Sequence, residues 1–172
     1  MRNKGNSVVY SCLIKMAALD AGVSIKNIHR GLADRIATFP NKRQVIIHMF
    51  DNLSSQEYFI QDRARNEASF TTDIRNYRPR KEPINKASPI SHTLSTSLNV
   101  EYLKSKLISY PLHLLDHEKL YLDNFIFYSS LLRSANSGAI PILVYIPHNL
   151  SDLQQATNFI LEFCKEIAIY LN

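Results

Sequence analysis

Some polar residues of this chain stand where they could do chemistry. Ser7 follows Gly5-Asn6, Gly31 follows Arg30, Asn52 follows Asp51, and His148 follows Pro147. A serine hydroxyl is a poor nucleophile until a histidine takes its proton, and preset N–H donors stabilise the oxyanion of an attacked carbonyl. His113 and His117 stand four apart with Asp116 between them. On one helix face that spacing can hold a metal, but neither a cysteine nor a third ligand accompanies it. A surface helix start, with Asp116 as a cap, is the plainer reading, so no metal is expected. Residues 63–86 carry Arg63, Arg65, Arg75, Arg78, Arg80, Lys81 and Lys86, with Phe70 and Tyr77 interleaved. Asp62, Glu67, Asp73 and Glu82 offset part of that charge. Such a stretch either grips a phosphate backbone or forms a solvated face with ordinary ion pairs. His48 and His92 have no evident partner in the sequence.

Elements must bring such residues together. Residues 8–21 are mostly apolar and end at Gly22, which suits a buried helix closed by a glycine. VSIKNI at 23–28 is either a short strand or the start of another helix, and residues 32–38 read as helix up to Pro40. QVIIHMF at 44–50 is a β-branched run and reads as a strand. Residues 54–70 are polar with a helical period, and 71–98, with Pro79, Pro83 and Pro89, form one long irregular loop. Residues 99–110 and 117–136 read as helices, the second closed by Ser137-Gly138, and AIPILVYIP at 139–147 reads as a buried strand. The last helix opens on a capping box, Ser151 with Gln154. Its apolar face is Leu153, Ala156, Ile160, Phe163, Ile167 and Leu171.

This alternation predicts an α/β fold, a small and mainly parallel sheet with helices packed on it. Both strand candidates lack a polar alternate face, as strands covered on both sides should. The alternative is a mainly α chain with an N-terminal helix-turn-helix. With 172 residues and 45% apolar content, the chain suits a single domain with a real core, interrupted by the loop at 71–98. Four glycines are few for an all-β sandwich or barrel. A net charge of +5 and a pI near 9.2 permit an anionic partner without requiring one. Cys12 and Cys164 sit among apolar residues and read as core thiols, which points to a cytoplasmic protein. Lys15 cuts the N-terminal apolar run too short for a secretory signal, and no apolar run is long enough to span a bilayer. No glycine-rich phosphate loop occurs, so no cofactor is expected. The sequence leaves the oligomeric state open.

Ser7, Gly31, Asn52 and His148, in that order and at element ends, resemble the SGNH (GDSL-type) hydrolase family. The resemblance implies an esterase or acyl-transfer activity on a small ester or acyl substrate. It makes Ser7 the nucleophile, Gly31 and Asn52 oxyanion donors, and His148 the base. Where that family has an orienting aspartate three residues before the histidine, this chain has Tyr145, and Asp51 precedes Asn52 rather than following it.

A second resemblance competes for the N-terminal region. Ala18, Gly22, Val23, Ser24 and Ile28 resemble the helix-turn-helix of bacterial repressors, spread over 14–33. It implies a DNA-binding regulator in which Lys26, Asn27, His29 and Arg30 face the groove, aided by Arg75, Arg78 and Arg80. A non-catalytic interaction protein that keeps the α/β fold is a third reading.

Overall fold

The computed structural model describes residues 9–14, 44–52, 56–70, 78–115, 122–147 and 153–171. Their central feature is a five-stranded sheet in the order β1-β2-β9-β3-β8. These strands are β1 (Val9–Ile14), β2 (Gln44–Asn52), β3 (Tyr58–Gln61), β8 (Leu112–Leu114) and β9 (Ala139–Pro147). β1 with β2, β2 with β9, and β3 with β8 pair in parallel, while β3 runs antiparallel to β9. The α/β reading with a mainly parallel sheet is therefore correct, with one antiparallel seam, and a mainly α chain is excluded. Two small ribbons flank the sheet: β4 (Arg63–Arg65) with β7 (Thr93–Ser95), and β5 (Ala68–Ser69) with β6 (Arg80–Glu82).

The strands at 44–52 and 139–147 form where a β-branched, aliphatic run offers apolar side chains to both faces. On one face Val45, Ile47, Met49, Ile60, Ile142 and Val144 meet Phe159, Phe163 and Ile167. Phe163 and Ile167 belong to the apolar face expected of α3 (Leu153–Leu171), and Phe159, which that expectation leaves out, joins them one turn earlier. Leu103 and Leu107 of and after α1 (Val100–Lys106) join the same cluster. Asn99 caps α1, its side chain accepting from the Tyr102 N–H at 3.0 Å. On the other face Phe50, Leu143 and Tyr145 pack on Ile126, Phe127, Tyr128 and Leu131 of α2 (Leu122–Ser134). Gly138, at φ 70°, makes the turn from α2 into β9, a conformation that favours glycine.

Three expectations about elements fail. The run at 8–21 does not begin as a helix: Val9–Ile14 is a strand paired with β2 from Val9 opposite Gln44 to Ile14 opposite Met49. A short apolar run fits a covered strand and a buried helix equally, and the neighbouring β2 decides. Residues 58–61 are likewise strand, because Tyr58 and Ile60 alternate with Phe59 and Gln61 and fill opposite faces. The stretch 78–98 is less irregular than its prolines suggest. β6 and β7 lie in it, and Asn66, fully buried, clamps residues 85–89. Its Nδ2 donates to the carbonyls of Asn85, Ser88 and Pro89 at 2.9–3.0 Å, and its Oδ1 accepts the Asn85 N–H at 2.7 Å. The readings of 23–28 and 32–38 lie outside the described residues.

Candidate functional site

Where parallel strands end, their carboxyl edge is the usual place for ligands in open α/β sheets. β2 and β9 reach that edge together, with Asn52 opposite Pro147 and Phe50 opposite Tyr145. On β3, Gln61 pairs with Leu143, two residues along β9 from Tyr145, so Gln61 and Tyr145 project to the same face. The face in question is covered by α2, whose first turn carries Asp123.

These three buried side chains bond to one another. Tyr145 Oη lies 2.6 Å from Asp123 Oδ2 and 3.1 Å from Gln61 Oε1. The Gln61 amide has a fixed orientation, because its Nε2 donates to the Arg63 carbonyl at 2.8 Å. Asp123 Oδ1 accepts the Asn124 N–H at 2.8 Å, and a carboxylate in a first helical turn also faces the positive end of the helix dipole. Burial, then the charge of Asp123 and the hydrogen bond to it, hold the Tyr145 phenol well above its usual range. Beside them Asn124, wholly buried, fastens α2 to the β4–β5 backbone. Its Oδ1 accepts the Arg65 N–H at 2.9 Å, and its Nδ2 donates to the carbonyls of Arg65 and Glu67 at 3.0 and 2.9 Å.

Two histidines also touch this face. His92 Nδ1 lies 3.0 Å from Tyr128 Oη, so the expectation that it lacks a partner is wrong. Burial pushes the Tyr128 phenol up. His48, in mid-β2, packs edge-on to Phe127 with ring centroids 6.3 Å apart, and its Nε2 is buried without a hydrogen bond. Desolvation pushes its pKa down to about 4.

Of the residues expected from sequence to act, Ser7, Gly31 and His148 lie outside the described residues. Asn52 closes β2 at the carboxyl edge, and nothing is described of its side chain. Lys26, Asn27, His29, Arg30 and Arg75 lie outside as well. Arg78 and Arg80 are exposed, Arg80 on the β5–β6 ribbon. His113 sits in β8 rather than on a helix, 3.5 Å from a Glu57 carboxylate oxygen, and His117 lies outside the described residues. No group of three potential metal ligands occurs among the described residues. Cys164 is half-buried against the α3 face of the sheet, and burial pushes its thiol up. A shallow hollow at the β8 edge, lined by Ile60, Val100, Lys104, Leu112, His113 and Leu114, is far simpler chemically than the Tyr145 junction. No described helix is long and apolar enough to cross a membrane.

Gln61 and Asp123 escape a reading of the sequence. The available signal is weak: Asp123-Asn124 stands directly before the apolar run Phe125-Ile126-Phe127, and Tyr145 is the polar-tipped residue of the most apolar strand.

No family model and no curated protein sequence matches this chain. Solved structures do. The pyrrolidone carboxyl peptidase from Thermococcus litoralis is similar with a TM-score of 0.75 at 18% identity, over 87% of this chain and 76% of that one. The pyrrolidone carboxyl peptidase from the hyperthermophile Pyrococcus furiosus is similar with a TM-score of 0.66 at 19% identity, over 83% of this chain and 74% of that one. At such identity the likeness establishes a shared fold. It also overturns both sequence resemblances, since the matched structures are neither SGNH hydrolases nor helix-turn-helix repressors. The repressor reading also needs a helix ahead of its motif, and there Val9–Ile14 is a strand, while the motif beyond residue 14 lies outside the described residues.

Proposed function

We propose that the carboxyl edge around Tyr145 is a hydrolase-type recognition site, and that the chain works as one domain around it. The site takes a small molecule or the end of a peptide through an amide or acyl carbonyl. The observation that carries this reading is the buried Gln61–Tyr145–Asp123 junction, set just beneath the carboxyl edge of the sheet, where α/β proteins bind ligands, in a fold similar to that of pyrrolidone carboxyl peptidases. Buried polar groups joined across three separate elements are costly unless fully matched, and this arrangement satisfies them with one another. Asn52 and His148 adjoin the same edge in sequence, one closing β2 and the other following β9, and we assign them to the rim of the site.

Titration calorimetry with pyrrolidone carboxamide tests the reading. Measurable heat, with a rise of melting temperature that grows with ligand concentration, is expected, because a ligand at about 100 times its Kd stabilises a fold by about 2.7 kcal/mol. Asn52→Ala and His148→Ala are expected to weaken that binding. Absence of heat and of any shift at millimolar ligand overturns the proposal.

A further inference from the structure

We infer that this site holds its ligand and releases it intact, because the places of a nucleophile, a base and an orienting group are filled by residues that bind but do not attack. The inference rests on the recognition site proposed above and goes beyond it, to the fate of what binds there.

The three side chains are joined end to end by hydrogen bonds, which is the connectivity of a catalytic triad. Acyl transfer needs a nucleophile in hydrogen-bond contact with a base, and a third group holding the base. Here a side chain in the first turn of α2 contacts one at the carboxyl end of β9, which contacts a third on β3, at 2.6 and 3.1 Å. A helix N-terminus is where a nucleophile's charge is stabilised. The residue types are wrong for the task.

Asp123 is a poor nucleophile toward an amide. Its attack would form a tetrahedral adduct in which the carboxylate is a far better leaving group than the amine, so the adduct collapses back to the amide. Asp123 is also poorly placed as a base toward water, because its Oδ2 is already taken by the phenol O–H at 2.6 Å. Tyr145 would have to lose its proton to act as a base, and burial beside a carboxyl opposes that. Gln61 carries no titrating proton, and its amide is committed to Arg63 and Tyr145. Cys164 lies on the opposite face of the sheet among Phe159, Phe163 and their neighbours. The donors and acceptors of the junction thus satisfy one another, which makes a firm floor for a bound carbonyl compound and a poor engine for cleaving it.

The test uses the full chain and the 7-amino-4-methylcoumarin amide of pyrrolidone carboxylic acid, with calorimetry for binding and fluorescence for release. The expected result is binding with coumarin release no faster than in buffer. The combined variant Asp123→Cys, Tyr145→His, Gln61→Glu supplies a thiol, an imidazole and a carboxylate at the same three positions. It is expected to release coumarin at least ~10²-fold faster than the unaltered chain, the lower range for one positioned acid–base pair. Release by the unaltered chain at the rate of that variant, or at any rate above buffer, overturns the inference while leaving the recognition site standing. Neither binding nor release overturns both.

Discussion

The two faces of the central sheet solve different problems. The face under α3 is closed by aliphatic and aromatic groups, with Phe159 stacked on Phe163 at 5.6 Å and beside Tyr58 at 4.1 Å between ring centroids. The face under α2 buries an equally apolar set but threads it with Gln61, His48, Asp123, Asn124 and Tyr145. A core made only of hydrocarbon needs no matching of donors, so the α3 face contributes stability with little positional demand. Each polar group on the α2 face must meet a partner at a set angle or cost free energy. The difference shows which half of the molecule is free to be only a core, and which half carries a constraint that packing alone does not explain.

The comparison breaks most visibly on the apolar side. Phe159→Ala removes a fully buried ring from the α3 face and is expected to cost about 3–5 kcal/mol, read as a lowered denaturant midpoint with an unchanged slope. On the polar side, His48 links stability to pH. Its pKa falls from 6.5 in the unfolded chain to about 4 in the folded one. Between those values the unfolded state binds more protons, so stability is complete above pH 6.5, declines by about 3 kcal/mol as pH falls to 4, and is flat below. Urea titrations across that window should show the decline, and its persistence in His48→Leu assigns it to other groups. Tyr145→Phe leaves the ring's packing but takes the hydroxyl from Asp123 and Gln61, for about 1–3 kcal/mol. A loss below the low end makes that junction less demanding than the contrast requires. Asn99→Ala, which removes the α1 cap on the apolar side, is expected to cost about 1 kcal/mol in the same measurement.

Much of this fold is legible in the sequence and little of the site is. The strand at 139–147, the helix before it with its Ser137-Gly138 turn, and the amphipathic last helix are written in local pattern, and local pattern survives into the structure. β1 and β3 are not, because a run of four to six residues has no period of its own and takes its form from the strand beside it. The site is harder still. Gln61, Asp123 and Tyr145 come from three elements and span 84 positions between the first and the last, so that only tertiary structure makes them neighbours. A residue type is visible in a sequence, whereas a shared proton is not. The serine–histidine reading took chemistry-bearing residues at element ends as its guide. The junction described here is buried between elements, where polar residues pass for interruptions of the core.

The clamp formed by Asn66 has a consequence for how this molecule can vary. One amide grips three carbonyls and one N–H within five consecutive positions, so the run from 85 to 89 has its length set from beneath, as a ruler sets a line. Adding or deleting one residue there would turn the wrong groups toward the amide. A coil that hairpins and helices would ordinarily leave free to lengthen is thereby as intolerant of insertion as any rung of the sheet.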